Sequence, residues 1–442
     1  MSSLDQQGLT LAGEYPGRTA LPPRVFRTAI IWSIVYAASL FTGVFLAQVT
    51  AILGFIFAVV GLVRGWWIRP AYHPAIYPLA ATVVVFLLSA LFNTGRIASL
   101  QFLFKHYGVS LLSLFGALVL MRSATLRKKA VWTVAIAGSF SGLYGIFQHF
   151  TGLDPLYGQH LSRLGMYGLN TYLPVGLLDM ALTYAGVQLS AMLLLLPIAW
   201  TARGRKARWL WLAVIVIFFS IFLTYRRAPL LVGIGMAGLF LITRNRRVAI
   251  ITVLAGVILA ATAWISSPAL RQGIGMLVRM DGVSAGQRVV LWDAAARMGS
   301  DHPVFGVGPG RWRVNLGDYL EDTESKGGRS FAHAHSDPMQ LYATTGVMGL
   351  LAVTALQLTL LFVAFRDLKS HPAGGFSRSL YLGGILSNFG FVFASFGQCY
   401  MMDAENLLIY MAVVAMMLGA RENLLSTGFS AGAPAVAQPA SS

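Results

Sequence analysis

A histidine stands where a long polar segment meets an apolar one. His335 belongs to the run Ala-His-Ala-His-Ser-Asp-Pro that ends at Pro338. Ser336 or Asp337 suits a helix N-cap and Pro338 suits the first turn, so we expect a helix to begin here. Its positive end favours a neutral imidazole, which can accept a proton as a general base. Two other interpretations stay open: His333 and His335 are polar residues at the water interface, or they belong to a zinc site, although no third ligand of suitable spacing follows.

Two adjacent arginines, Arg226 and Arg227, follow an apolar run that ends at residue 225. The other end of that run carries a basic tract, so this pair is expected on the side of the membrane where cations are scarce. Arginine at membrane depth is costly and usually faces a partner or an aqueous cavity. Two neighbouring guanidinium groups suit a diphosphate, which they can hold through paired hydrogen bonds. The alternative is that both side chains reach out to lipid head groups.

Arg288 is a third candidate. It is the one charged residue in the stretch 286–292, and Trp292 follows one helical turn later. Arg288 either pairs with a carboxylate of the same loop or binds an anionic substrate, and the sequence favours neither.

The glycine-rich run 301–310 does not match a nucleotide-binding loop, because no strand precedes it and no Lys-Ser/Thr closes it. We expect a tight turn there instead. No pair of carboxylates stands out as a metal-dependent catalytic site, so neither a metal ion nor a cofactor is expected.

The elements that position these residues are membrane-spanning helices. Of 442 residues, 56% are hydrophobic and 11% are charged, which no soluble fold of this length could bury. The single cysteine, Cys399, excludes a disulfide framework and a thiolate metal cluster. The net charge of +17 does not indicate nucleic-acid binding, because the basic residues cluster in short tracts between apolar runs, at 127–129, 203–208, 244–247 and 366–369. This is the pattern of cytoplasmic loops, and it places both termini in the cytoplasm.

The pattern predicts an all-α polytopic membrane protein with about twelve spans. They are expected at 27–45, 47–64, 75–92, 107–121, 130–148, 179–200, 209–225, 229–243, 248–265, 340–363, 379–396 and 404–420. The chain then divides into a cytoplasmic segment (1–26), helices 1–9 (27–265), a large periplasmic loop (266–339), helices 10–12 (340–420) and a disordered cytoplasmic tail (421–442). The loop holds half of all carboxylates. Within it, Val290, Ala294, Ala295 and Met298 share one helical face, so a folded, partly helical loop is predicted.

These residues resemble the O-antigen ligase and polymerase superfamily of bacterial inner membranes. His335-Ser336, nine residues, Gly346, two residues and Gly349 fit the ligase-type histidine pattern. Arg288 with Trp292, and the glycine-rich turn after His302-Pro303, resemble features that precede that histidine. Arg226 or Arg227 fits an arginine at the mouth of an earlier helix, and the doubled arginine leaves open which of the two corresponds.

The resemblance implies an inverting, metal-independent glycosyltransferase. Its donor would be a polysaccharide on undecaprenyl diphosphate, and its acceptor a sugar hydroxyl of lipid A-core. His335 would be the general base, and Arg226, Arg227 and Arg288 would bind the diphosphate. Membrane lipids are the other expected partners, and the active site would face the periplasm. An O-antigen polymerase and a protein O-oligosaccharyltransferase stay open within the enzymes. A polyprenyl-glycan transporter is the alternative from a different class, although the predicted spans carry few charges at their centres.

Overall fold

The computed structural model describes residues 22–67, 69–70, 72–163, 171–252, 254, 258, 283–320, 331–369 and 375–430. Helices are the regular structure throughout these ranges, apart from one isolated bridge between Arg163 and Tyr172. This confirms the predicted all-α class.

Fourteen α-helices are numbered here in chain order, within the described ranges. They are α1 (Pro23–Ser39), α2 (Val44–Val63), α3 (Ile76–Phe92), α4 (Arg96–Leu103), α5 (Val109–Leu120), α6 (Ala124–Thr151), α7 (Ala181–Thr201), α8 (Gly204–Leu223), α9 (Arg227–Arg244), α10 (Val283–Asp301), α11 (Trp312–Asn315), α12 (Asp337–Lys369), α13 (Phe376–Ser395) and α14 (Ala404–Ser430). A π-helical turn, Phe104–Gly108, joins α4 to α5, and short 3₁₀ turns cover Leu316–Tyr319 and Tyr400–Met402.

The protein is a multi-pass membrane protein. In the described residues, eight helices are long and apolar enough to cross a membrane: α2, the α4–α5 unit, α6, α7, α8, α9, α12 and α14. The helices at the predicted spans 27–45, 75–92 and 379–396 fall short of that length or apolarity. Most of the predicted span 248–265 lies outside the described residues. The last helix continues to Ser430, so the first ten residues of the expected tail, 421–430, are helical.

Helix α7 forms the centre of the bundle. It is buried along nearly its whole length and packs against α8, α9, α13 and α14. The α2 helix packs on α5, and α3 packs on α12. A helix that is apolar on all faces is expected to lie at the core of a membrane bundle, because both lipid and protein suit its surface. The outer helices, by contrast, leave many large apolar side chains exposed on the surface of the protein, as contact with lipid requires.

One basic tract has a role beyond topology. Arg127 is fully buried, and its Nη1 donates to the carbonyls of Met121, Arg122 and Gly419. These carbonyls lie where α5 ends and where α14 passes close to it, so the guanidinium joins the two helices. The basic tract 127–129 therefore contributes to helix packing through Arg127.

The predicted loop has a small core of its own. Helix α10 buries Leu291, Ala294, Ala295 and Met298 against Trp312 and neighbouring residues. The same cluster includes Ala334 and Ala343, so it continues onto the start of α12. The folded, partly helical loop is thus present in the described ranges 283–320 and 331–336, and α10 packs directly on the helix that His335 precedes.

Helix α12 is broken at Gly346, where φ is 67° and ψ is −170°. The glycine-rich turn fills the break: Val307 and Gly308 donate backbone N–H groups to the carbonyls of Ala343 and Thr344, both at 3.0 Å. The Val347 N–H in turn donates to the Pro303 carbonyl at 2.8 Å. Backbone groups freed by the kink are thereby satisfied inside protein, as a membrane helix requires. The predicted tight turn is present, and its function is to pair with α12.

Candidate active site

The segment before α12 is fixed by hydrogen bonds on both sides of His335. The Ala334 carbonyl accepts from Nε1 of Trp292 at 3.1 Å, and the Ala334 N–H donates to Oε1 of Gln340 at 2.8 Å. The Ser336 N–H donates to Sγ of Cys399 at 3.2 Å. The helix begins at Asp337, where the capping residues predicted it. The backbone on either side of the histidine is therefore held before any substrate binds.

His335 itself has a left-handed backbone. Its φ is 53°, and Tyr225 (φ 52°) is the other non-glycine residue with positive φ in the described ranges. Such conformations are uncommon for residues other than glycine, less so for histidine than for tyrosine, and they cluster at functional sites. Tyr225 immediately precedes Arg226 and Arg227. The two strained residues thus mark the two segments that the sequence singles out.

One nitrogen of the His335 imidazole, Nδ1, forms a hydrogen bond within the protein. This nitrogen lies 2.9 Å from Oε1 of Gln398, an acceptor, so Nδ1 carries the hydrogen and donates. In the neutral ring, Nε2 then carries the lone pair. The ring is only partly buried. This arrangement leaves Nε2 able to take a proton from a bound group.

The surroundings of His335 keep its imidazole neutral. Burial lowers the pKa of His335 most, the cations of Arg288 and Arg226 lower it further, and the hydrogen bond to Gln398 raises it. The net direction is below the ordinary value. The neighbouring His333 stacks edge-on at 4.4 Å between ring centroids, and burial, His335 and Arg313 lower its pKa to about 4. Neither ring adds a positive charge near neutral pH.

A three-residue turn carries the arginine pair. Helix α8 ends at Leu223, Arg226 is the N-cap of α9, and Arg227 is the first residue of that helix. The hydroxyl of Thr224 donates to the Ile221 carbonyl at 2.6 Å and accepts from the Arg226 N–H at 3.3 Å. The positive end of α9 and two guanidinium groups therefore coincide, which is the charge arrangement that an anion needs.

Arg288 and the start of α9 meet at one glycine. A Cβ on Gly397 would lie 3.1 Å from Cβ of Ala228 and 4.0 Å from Nη1 of Arg288. Burial lowers the pKa of Arg288, and the charge of Arg227 lowers it further. The next residue after Gly397 is Gln398, the partner of His335. The structure therefore brings Arg226, Arg227, Arg288 and His335 to one place, at the end of the bundle where α8 turns into α9.

The connection between α13 and α14 holds the site together, although no sequence pattern indicated it. Gly397 gives room to Arg288, Gln398 holds His335, and Cys399 accepts from Ser336. Burial raises the pKa of the Cys399 thiol well above its ordinary value, so the sulfur is an uncharged acceptor. Next along, the Met401 N–H donates to the Asp337 carboxylate at 3.0 Å. Uncharged residues in a short connection give no signal in composition or spacing, and only the fold shows their partners.

Comparison with known families gives the decisive observation. The family model described as O-Antigen ligase matches residues 212–354. The chain therefore contains a region that is similar to the O-antigen ligase family. The matched region contains the arginine pair, Arg288, His335 and the kink glycine Gly346, and it ends within α12.

Two further comparisons were made with solved structures and with curated proteins. One chain of a solved structure, described as "Structural coordination of polymerization and crosslinking by a peptidoglycan synthase complex", aligns with 79% of this chain and 97% of its own length. The sequence identity is 13% and the TM-score is 0.46. No curated protein sequence matches the chain.

Proposed function

We propose that this protein is an O-antigen ligase of the bacterial inner membrane. It transfers a polysaccharide from undecaprenyl diphosphate to a sugar hydroxyl of lipid A-core, at a site that faces the periplasm. One observation supports the proposal: His335, with Nδ1 bonded to Gln398 and Nε2 left basic, lies beside three arginines within the region that matches the O-antigen ligase model.

The acceptor step uses His335 as general base. A sugar hydroxyl must lose its proton as its oxygen attacks the anomeric carbon of the donor, and Nε2 takes that proton. The pKa of His335 lies below its ordinary value, so the ring is neutral and ready at neutral pH. Gln398 holds the ring in the tautomer that the step needs.

The donor step uses the arginines. As the new bond forms at the anomeric carbon, the bond from that carbon to the phosphate oxygen breaks and undecaprenyl diphosphate leaves. Arg226, Arg227 and Arg288 are the groups we assign to this developing charge, because guanidinium forks match phosphate oxygens and stay charged at any physiological pH. Fixed cations aimed at a charged leaving group stabilise the transition state directly.

We further propose that the reaction inverts the anomeric centre without a metal ion. A diphosphate that leaves on one face while a hydroxyl attacks on the other requires a single displacement. The charge of the leaving group is then met by three side chains that the fold holds at the head of α9 and on α10.

Reconstitution of the purified protein tests the proposal. The reaction contains an undecaprenyl-diphosphate-linked glycan and rough lipopolysaccharide, and the products are separated on a gel. Glycan attached to lipid A-core is the expected result. Glycan that lengthens on its lipid carrier, with the core untouched, identifies a polymerase instead. Glycan attached to an added acceptor protein identifies a protein O-oligosaccharyltransferase, and no transfer in any arm favours a polyprenyl-glycan transporter.

A further inference from the structure

The last turn of α6 holds the connection that leads from α6 to α7. Nδ1 of His149 lies 2.7 Å from the Tyr172 carbonyl, an acceptor, so Nδ1 carries the hydrogen and donates. The His149 carbonyl in turn accepts from the Tyr172 N–H at 3.0 Å. The neighbouring Gln148 accepts from the Gly176 N–H at 2.8 Å and donates to the Gly176 carbonyl at 3.0 Å. The orientation of the His149 ring is therefore fixed from one side by this connection.

The same imidazole packs against the turn that carries the arginine pair. Its centroid lies 6.0 Å from the centroid of the Tyr225 ring, at an interplanar angle of 44°. The Tyr225 ring also lies 6.3 Å from the ring of Phe222, which belongs to α8. Phe222 precedes the turn on the same helix, whereas His149 belongs to α6, which packs on α8. His149 therefore supports the turn from a second helix.

Tyr225 needs this support because its backbone is left-handed, with φ at 52°. Such a conformation is unfavourable for a bulky side chain and persists where the surroundings hold it. The Tyr225 N–H donates to the Phe222 carbonyl at 3.2 Å, so the backbone before Tyr225 is fixed to α8. Rotation about the Tyr225 backbone would swing the residues that follow it, Arg226 and Arg227. The conformation of Tyr225 thus sets the direction in which both guanidinium groups lie.

His149 acts through its neighbours and not on a substrate. It is 2% exposed, which is too little for contact with a bound molecule. His335, the base assigned above, is by contrast only partly buried. The two histidines thus have different roles, although each donates through Nδ1 to an oxygen of the protein.

We propose that His149 is a positioning residue for the donor diphosphate: its ring holds Tyr225 in the left-handed conformation that presents Arg226 to the phosphate groups. The hydrogen bond to Tyr172 orients the ring, and the ring supports the turn. The inference rests on the proposed function for the identity of the anion, and it assigns a part in donor binding to the α6 end that the proposed function does not use.

Binding of undecaprenyl diphosphate, measured without transfer, tests this inference. The lipid is titrated into the full-length protein in detergent, with microscale thermophoresis as the readout. His149→Asn keeps an N–H that can donate to Tyr172 and loses the ring. Binding should weaken by about tenfold or more, the loss expected when a charge-assisted hydrogen bond to phosphate is misaligned. Tyr225→Ala removes the same ring contact from the opposite side and should have the same effect.

Two further variants separate positioning from general damage. His149→Phe keeps an aromatic ring and loses the hydrogen bond to Tyr172, so the thermal unfolding midpoint falls while binding stays within about threefold of the unmodified protein. His160→Asn changes an exposed histidine of the same connection and should bind within about twofold of the unmodified protein. A loss in His149→Phe as large as that in His149→Asn would overturn the inference, because the loss would then follow the hydrogen bond and not the ring.

Combination with Arg226→Gln identifies the group through which His149 acts. If the ring positions Arg226, His149→Asn weakens binding no further than about twofold once Arg226→Gln has been made. Additive losses would overturn the inference. Unchanged binding in His149→Asn and Tyr225→Ala, with weaker binding in Arg226→Gln, would overturn it and leave the proposed function in place. No binding by the unmodified protein would overturn the proposed function and this inference with it.

Discussion

Gln398 and His335 are joined by a hydrogen bond of 2.9 Å from Nδ1 of the imidazole to Oε1 of the amide. The two residues lie in different connections of the bundle, and the bond selects which ring nitrogen is basic. It also makes the pKa of His335 sensitive to what stands at position 398.

Substitutions of Gln398 move the acid limb of the pH–rate profile in opposite directions. In Gln398→Glu, a carboxylate beside Nδ1 favours the imidazolium and raises the pKa of His335, so the acid limb moves to higher pH by about one unit or more. In Gln398→Met, the hydrogen bond that raises this pKa is lost, so the limb moves to lower pH while the maximum rate falls. Profiles of transfer rate against pH check both signs.

A matched variant controls for added charge at the same end of the bundle. Gln159→Glu places a carboxylate near Asp179, to which the Gln159 amide donates at 3.4 Å. It should leave the acid limb where it is. The same shift in Gln159→Glu and Gln398→Glu would mean that the effect is general and not a property of the His335 contact.

Removal of the Arg288 charge has two separable effects. Arg288→Gln takes away a cation that lowers the pKa of His335, so this pKa rises and the acid limb moves to higher pH. The rate at the optimum also falls, by about 100-fold or more, because the leaving group loses a fixed cation. Arg288→Lys keeps the charge and loses the fork, so its acid limb should stay in place. A limb that moves equally in both variants argues against an electrostatic role.

Arg226 and Arg227 act on different neighbouring groups. The charge of Arg226 lowers the pKa of His335, whereas the charge of Arg227 lowers that of Arg288. Arg226→Gln should therefore move the acid limb to higher pH, and Arg227→Gln should lower the rate with the limb unchanged. Parallel pH profiles of the two variants measure this difference. Identical profiles would show that the two side chains act as one cluster.

The backbone conformation and close packing at position 346 require a glycine. Its φ is 67°, and a Cβ would overlap the carbonyl of Val304 in the turn that fills the break of α12. Gly346→Ala should destabilise the fold by more than about 1 kcal/mol. The thermal unfolding midpoint in detergent measures this. Gly235→Ala is the matched control, because a Cβ there meets nothing within 4 Å, and a comparable loss of stability in it would contradict the role assigned to the kink.

The sequence alone could predict the features that depend on residues close together in the chain. The helix start at Asp337 and the buried face of α10 depend on residues a few positions apart, so spacing predicts them. The role of Gln398 depends on a distant segment that folds back onto His335, and no local pattern encodes it.

The roles of Gly346 and Arg127 likewise depend on contacts between distant segments of the chain. Gly346 was identified only through a family resemblance. The structure shows why a glycine is needed there, because residues 303–308 pair with α12 at the break. The packing role of Arg127 was hidden for a related reason, because a basic tract near a helix end looks the same whether its members face water or cap another helix. Sequence identifies the groups that can do chemistry, and the fold identifies the groups that hold them.

The most direct test of the account is the rate of glycan transfer by His335→Ala, measured with saturating undecaprenyl-diphosphate-linked donor and rough lipopolysaccharide. His302→Ala is the control, since it removes an exposed histidine of the same loop. The account predicts a loss of at least about 100-fold in His335→Ala, the contribution of a general base, with His302→Ala within about twofold. Transfer by His335→Ala at the rate of the unmodified protein would contradict it.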